Sequence, residues 1–513
     1  MNETVESTVQ KPMRAYKIPE CILAWLTYLC AFLFCTAFPV GEYPLGGLLL
    51  VALLYIGTAI LLTVAKIKLR AYPIAVGVSA ILLSAVPMLS ANSFLSFFAY
   101  GYAILTYCYF VYVATGQKSF SAVLLMDYVR ALFVLPFRSL RALFSALFMG
   151  RGKGSGKVIG RILLGAFLAL VPTLIVGLLL SYDSGFSRLI DNIFSIKLGD
   201  LFTHLFHLLL AIPMGMAVFS VYASATDGLG EDTVTEESLA DTRRRFRILS
   251  SVTVLTAVLP LLFVYVVFFV SQWKYYVSGF TGILPEDFSY AEYAREGFFQ
   301  LCAVSVINFI LILIATLFIR RKDDRPPLVL KLVTTVLSVF TLILISTAIS
   351  KMVLYIDRFG LTQLRVYATW FMLLLAVLFI LTATSMYVKR FKPVLVSVLV
   401  CLAFFSILAL SGPDAQIAEY NVDRYLDGSL EDVDVIAMYD LDDAAVPAMV
   451  YLYENMPDTA DEMLRNKVTD YLRGQLHEVD KNSGIFTFDL PAYRARKALS
   501  RIDLAELKEM TVQ

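Results

Sequence analysis

Eleven long apolar runs constrain the fold of this chain more than any other feature of its sequence. A helix needs about 20 predominantly apolar residues to cross the hydrocarbon core of a bilayer, which is about 30 Å thick. Backbone groups find no water in that core, so segments of this kind form helices. The runs are 21–38, 45–65, 72–90, 94–114, 162–181, 201–224, 250–272, 298–319, 332–355, 366–388 and 394–411. The sequence therefore predicts an all-α integral membrane protein with about eleven transmembrane helices.

The composition is typical of a membrane protein. Hydrophobic residues make up 58% of the chain and charged residues 17%, and the mean hydropathy is +0.73. Soluble domains average about 45–50% apolar and about 25% charged residues. The predicted partner is therefore the lipid bilayer, with an envelope protein or a lipid as a further candidate and no nucleic acid.

Positive charge is concentrated in every second loop, which predicts the topology. Lys and Arg accumulate in short cytoplasmic loops. The N-terminus and the loops on its side hold 26 Lys and Arg residues, whereas the short loops that alternate with them hold 7. We therefore expect the N-terminus inside, and an odd number of spans then places the C-terminus outside.

The runs and their charges predict five regions. The last region holds 21 acidic and 10 basic residues and carries helix signals, so we expect it to be a small acidic helical domain outside the membrane. The regions are a cytoplasmic tail (1–20), a four-span bundle (21–114), a basic cytoplasmic loop (115–161), a seven-span bundle (162–411) and the extracytoplasmic domain (412–513).

Residues 120–149 of the cytoplasmic loop are apolar on average but contain four charged residues. On a single helix Asp127, Arg130, Arg138 and Arg141 share one face, opposite Phe, Leu and Val residues. This pattern predicts an amphipathic helix lying in the inner membrane interface, with a kink at Pro136. A buried re-entrant pair is the alternative.

Asp200, His204 and His207 form a candidate metal site. Their spacings of four and three residues place them on one face of a helix, and His and Asp are common ligands of divalent metals. No fourth ligand is evident in the sequence. Interfacial histidines hydrogen-bonded to water or backbone are the alternative.

The sequence contains no motif that points to catalysis. The Gly-rich stretch from Gly150 to Lys157 lacks both the G-x-x-x-x-G-K-[ST] spacing of a phosphate-binding loop and a preceding strand. No Ser-His-Asp arrangement is supported either. We predict no catalytic residues and no cofactor, and expect a non-enzymatic protein.

Segment 351–365 joins two apolar runs and carries charge close to the membrane. Lys351, Arg358 and Arg365 recur every seven residues, and on a continuous helix they would share one face. Charged groups near hydrocarbon are costly and usually functional. This segment is therefore the first functional candidate.

Three stretches, one of them within segment 351–365, together resemble a known family. They are Phe288–Leu301 (FSYAEYAREGFFQL), Leu354–Arg365 and Ile417–Leu426 (IAEYNVDRYL), followed by Asp443–Ala448 (DAAVPA). In this order they resemble the bacterial multi-span membrane proteins grouped as a domain of unknown function of the 4153/4173 type. The resemblance spans about 160–455 and implies a location in the bacterial inner membrane, but no reaction.

By the predicted topology all three stretches lie on the outer side, so we expect one outer-face binding cluster. In this hypothesis carboxylates of one loop pair with arginines of another; pairing that only holds the helices together is the alternative. We expect Gly360 to supply a backbone turn that a Cβ would hinder. The predicted binding residues are Tyr290, Glu292, Tyr293, Arg295, Lys351, Tyr355, Arg358, Gly360, Thr362, Arg365, Asn421, Asp423 and Arg424.

These features favour a non-enzymatic envelope sensor, scaffold or assembly factor. The alternative is a transporter or lipid-handling protein with a groove near 351–365, and a third class is a membrane enzyme that uses outer carboxylates. A transporter would need a polar cavity that reaches Asn308, Lys351 or Arg365.

Overall fold

The computed structural model describes most of the chain. The described residues are 16–37, 43–115, 124–148, 198–226, 245–271, 298–321, 325–388, 391–457, 461–479 and 485–502, with four single positions between 165 and 176. They form α-helices, one short 3-10 helix and connecting turns, which confirms the all-α prediction.

The α-helices within the described residues are numbered α1 to α19 in chain order. The first nine are α1 (Ile18–Ala37), α2 (Pro44–Val64), α3 (Ala71–Leu83), α4 (Val86–Leu89), α5 (Ser93–Ala114), α6 (Leu124–Phe133), α7 (Leu135–Arg138), α8 (Arg141–Phe148) and α9 (Leu198–Thr226). The others are α10 (Ser251–Ser271), α11 (Phe298–Phe318), α12 (Leu328–Phe359), α13 (Gln363–Ser385), α14 (Pro393–Leu410), α15 (Pro413–Leu426), α16 (Val435–Tyr439), α17 (Val446–Asn455), α18 (Glu462–Val479) and α19 (Leu490–Leu499).

Within the described residues, 10 segments are long and apolar enough to cross a membrane. They coincide with ten of the predicted runs, and α3 and α4 together form one of them. The remaining run, 162–181, lies outside the described residues apart from single positions. The protein is therefore a multi-pass membrane protein, while the count of eleven spans stays a prediction.

The outward faces of the spans are too apolar for water. In α10, for example, Val252, Phe263 and Val270 are 73%, 70% and 68% exposed. Soluble proteins rarely expose large contiguous apolar patches, so these faces suit contact with lipid. The helices thus bury polar backbone internally and present apolar side chains outward.

Residues 124–148 form three short helices instead of the single amphipathic helix predicted there. The first break falls at Val134, immediately before the turn that contains Pro136. Proline lacks a backbone N–H and clashes with the preceding turn, which accounts for the interruption. The four charged residues therefore do not share one face of a continuous helix, and a position in the interface stays a prediction.

The chain divides into two compact units, of which the first comprises 1–84, 100–119 and 126–232. Its helices α1 and α9 pack together over much of their length. Near the start of α1, the buried Glu20 accepts a hydrogen bond from the Tyr222 hydroxyl of α9 at 3.2 Å. A buried carboxylate needs such partners, so this contact fixes the end of the helix pair.

The second unit comprises 85–99, 120–125 and 233–513. In its membrane part, α10 to α13 share one hydrophobic core. Asn308 of α11 is fully buried, accepts from the Tyr265 hydroxyl and donates to Thr341 Oγ1 at 2.8 Å. This amide therefore joins three spans by hydrogen bonds.

Helices α15 to α19 share a separate hydrophobic core in the second unit. Met449, Tyr471 and Ala495 are fully buried in it, and Leu361 and Val366 pack against it. The helical character predicted for the region after residue 411 is thus observed. Its limits as a domain stay a prediction.

Candidate functional site

The turn between α12 and α13 depends on Gly360. This residue has φ +72° and ψ −173°, a conformation essentially restricted to glycine. A Cβ at this position would lie 2.5 Å from Asn421 Oδ1. Thr362 then caps α13 by accepting a hydrogen bond from the backbone N–H of Arg365. Gly360 therefore supplies the backbone turn expected from the sequence.

Arg365 closes the end of α12. Its Nη1 donates to the carbonyl of Phe359 at 2.8 Å and to that of Gly360, and its guanidinium lies 4.2 Å from the centre of the Tyr355 ring. A cation at the C-terminus of a helix is favourable because the last carbonyls have no partner within the helix. Since α12 ends at Phe359, Arg365 belongs to α13. The shared face with Lys351 that a continuous helix would give does not exist.

Asn421 of α15 fastens this helix to the turn. Its Oδ1 accepts from the backbone N–H of Leu361 at 2.7 Å, and its Nδ2 donates to the carbonyl of the same residue at 2.8 Å. One buried side chain thus satisfies both backbone groups of a loop residue. Gly360 and Asn421 are mutually dependent, because the absence of a Cβ leaves space for the amide.

Two ion pairs surround this contact. Arg424 lies 3.2 Å from Asp357, and Arg358 lies 2.8 Å from Glu431. The carboxylates are 74% and 76% exposed, and exposed pairs contribute about 0–1 kcal/mol. Arg424 is only 15% exposed and also donates to the Ser429 carbonyl at 2.9 Å. The main contribution of Arg424 is therefore its hydrogen bond to the Ser429 carbonyl after α15, and its ion pair with Asp357 contributes less to stability.

The structure brings together two of the three predicted stretches. Lys351 lies on α12, half-buried and two turns before its end, and Asp423 is exposed on α15. Of the first stretch, residues 288–297 lie outside the described residues, and residues 298–301 begin α11. The part that Tyr290, Glu292, Tyr293 and Arg295 would play in the cluster therefore stays a prediction. Seven of the predicted residues lie where the turn between α12 and α13 contacts α15 and the residues that follow it. They are Tyr355, Arg358, Gly360, Thr362, Arg365, Asn421 and Arg424.

The candidate metal residues all lie on α9. His204 is exposed and His207 is half-buried, whereas the side chain of Asp200 lies outside the described part of the structure. Among the described side chains, no group of three or more His, Cys, Asp or Glu residues could hold a metal. The metal hypothesis for this triplet stays a prediction.

A buried polar cluster that was not predicted from the sequence surrounds Asp414 and includes Asn92, Gln363 and Tyr367. Gln363 Nε2 donates to Asp414 Oδ1 at 3.1 Å, and Asn92 Nδ2 approaches the same oxygen at 3.5 Å. Asn92 also donates to the Tyr367 hydroxyl at 2.7 Å. The Asp414 cluster thus connects the starts of α13 and α15 with the segment before α5. A helix-capping Asn between two spans was the only sequence signal for it.

Asp414 is an unusual carboxyl because it is 2% exposed and incompletely paired. Its Oδ2 has no hydrogen-bond partner among the described residues. Burial raises the pKa of Asp414 to about 6, and the negative charge of Asp442 adds to the rise. The donors Asn92 and Gln363 act in the opposite direction. Desolvation therefore outweighs hydrogen bonding at this carboxyl.

Ten candidate spans, and a helical region fastened to the ends of several of them, define a multi-pass α-helical membrane protein. The family model named Domain of unknown function (DUF4153) matches residues 77–452. The chain therefore belongs to this family, which confirms the resemblance to the 4153 type; the match does not include the 4173 type. No curated protein and no solved structure matches the chain.

Proposed function

We propose that this protein is a non-enzymatic sensor or scaffold of the bacterial envelope, with α15 to α19 on the outer side of the inner membrane. The observation that carries the proposal is the double hydrogen bond between Asn421 and Leu361. Through it, a change in the position of α15 acts directly on the ends of α12 and α13. A sensor needs such a rigid connection between its external domain and its spans.

Two of the three polar residues that a transport pathway would use are engaged in structural contacts. Asn308 is paired with Tyr265 and Thr341, and Arg365 is paired with the last carbonyls of α12. These contacts support the sensor or scaffold over the transporter with a groove near 351–365.

The outer location is tested with topology reporters. We expect alkaline phosphatase fused after residue 411 to be active and green fluorescent protein fused there to be dark, because the positive-inside rule places this point outside. Fusions after residue 388 should give the opposite result, since that loop is predicted to be cytoplasmic. Fluorescence from the fusion after residue 411 would contradict the proposed orientation.

The coupling is tested by the variant Asn421→Ala in a strain that lacks the chromosomal gene. The variant leaves both backbone groups of Leu361 unpaired, which costs about 1–3 kcal/mol for each buried group. We expect it to reach the membrane but to leave the lipid and metabolite profile of the deletion strain uncorrected, and to make the region after residue 411 more sensitive to protease.

The matched control is Asn455→Ala. Asn455 is exposed, and among the described residues its side chain bonds the Tyr451 carbonyl of its own helix alone, so this variant should restore the profile fully. Complete restoration by Asn421→Ala, together with increased protease sensitivity, would show that the spans act without the coupling and would favour a transporter.

A further inference from the structure

A cleft of about 470 Å³ lies in the second unit and is lined by the last residues of two candidate spans. Leu89 and Leu410, the last residues of two candidate spans, form part of its lining. Helices α15, α17 and α19 supply the other walls. Because these spans end at the cleft, it opens at the level where lipid headgroups meet the hydrocarbon core. Its volume is in the range of small-molecule sites.

One wall of the cleft is basic. Arg494, Lys497 and Arg501 line it at spacings of three and four residues along α19 and the turn that follows. All three side chains are exposed, and no carboxylate of the described residues lies within ion-pair distance of them. The region after residue 411 is otherwise strongly acidic, with 21 acidic against 10 basic residues. This basic wall is therefore a local concentration of positive charge in an acidic domain.

Another part of the lining is acidic. Glu419 of α15 and Glu454 of α17 are exposed and line the cleft. Asp414 also contributes to the lining, and its buried Oδ2 has no partner among the described residues. The cleft therefore presents positive and negative charge to the same space.

We propose that this cleft binds the zwitterionic headgroup of a phospholipid that joins a phosphate diester to a primary ammonium. Arg494, Lys497 and Arg501 bind the phosphate by charge-assisted hydrogen bonds. Glu419 and Glu454 bind the ammonium group. The apolar ends of the two spans accommodate the start of the acyl chains. This inference goes beyond the proposed coupling and does not depend on it.

The test uses the full-length protein, delipidated in detergent, with binding of added lipid followed by native mass spectrometry. The probes are phosphatidylethanolamine, which carries both charges, and phosphatidylglycerol, which lacks the ammonium. We expect tighter binding of phosphatidylethanolamine. The double variant Arg494→Gln/Lys497→Gln should bind both lipids at least tenfold more weakly than the wild type. The double variant Glu419→Gln/Glu454→Gln should weaken phosphatidylethanolamine at least tenfold and leave phosphatidylglycerol unchanged.

The control is Arg465→Gln/Lys467→Gln on α18, which removes the same charge outside the cleft lining and should leave both affinities unchanged. The proposal is overturned if the Arg494/Lys497 variant binds phosphatidylethanolamine within twofold of the wild type at an unchanged melting temperature. It is also overturned if the Glu419/Glu454 variant weakens both lipids equally. Soluble glycerophosphoethanolamine binding as tightly as the lipid would overturn the assignment to a membrane ligand.

Discussion

Gly360→Ala should destabilise the attachment of α15 to the membrane helices by about 2–6 kcal/mol. The backbone conformation of Gly360 costs a residue with a Cβ about 1–3 kcal/mol. The new Cβ would also displace Asn421 Oδ1, from which it would be 2.5 Å away. Leu361 N–H would then lose its acceptor, at a further cost of about 1–3 kcal/mol. A lower melting temperature in detergent and faster proteolysis after residue 411 measure the effect.

Two other glycines separate the causes of this effect. Gly412 has φ +63° and nothing within 4 Å of an added Cβ, so Gly412→Ala reports backbone strain alone, about 1–2 kcal/mol. Gly474 lies in α18 with equally open surroundings, and alanine there should be neutral or slightly stabilising. If the melting temperature of the Gly360→Ala variant is no lower than that of the Gly412→Ala variant, the contact with Asn421 does not hold α15 to the membrane helices.

Asp414→Asn should remove a pH-dependent contribution of about 3 kcal/mol to the stability of the wild type. The pKa of Asp414 is raised from 3.8 to about 6 in the folded protein, and each unit corresponds to about 1.4 kcal/mol. Between these values the folded state binds more protons than the unfolded state. The contribution is therefore fully present below about pH 4 and is lost as the pH rises through 6.

The measurement compares melting temperatures of the wild type and Asp414→Asn in detergent between pH 4 and 8. The advantage of the wild type over the variant should shrink as the pH rises and should be constant above about pH 7. Asp423→Asn on the same helix is the control, because its carboxylate is exposed to solvent. A difference between wild type and Asp414→Asn that does not change with pH would show that burial does not govern this carboxyl.

The spans were predictable because hydrocarbon imposes one simple requirement on every segment that crosses it. A run such as 366–388 is recognisable from its own residues, and it corresponds closely to α13. The kink at Pro136 was predictable for the same reason, because it depends on the proline itself. The division of residues 124–148 into three helices was harder to foresee, because it depends on the packing of α7 and α8 against α9.

The candidate site was predictable only in part, for a related reason. Gly360 could be expected to form a turn from its type and its position between two spans. The hydrogen bonds between the next residue, Leu361, and Asn421, 60 residues away, follow from tertiary packing that no local pattern encodes. The Asp414 cluster is more distant still, since Asn92 and Asp414 are 322 residues apart. From the sequence, Asp414 is expected to be an ordinary first-turn residue of α15, because it follows Pro413. Its burial is evident only in the folded structure.

The hydrogen bonds of Asn308 have a consequence for how the membrane bundle forms. Helices of a membrane protein enter the bilayer as separate elements and associate afterwards. Until α10 and α12 have docked, the amide of Asn308 faces lipid without Tyr265 and Thr341, which is costly for α11. The amide of Asn308 is therefore hydrogen-bonded when α11 is packed against α10 and α12, and it lacks these partners when α11 is not packed. After docking, it also fixes the rotation of α11, because half a turn would return the amide to the lipid.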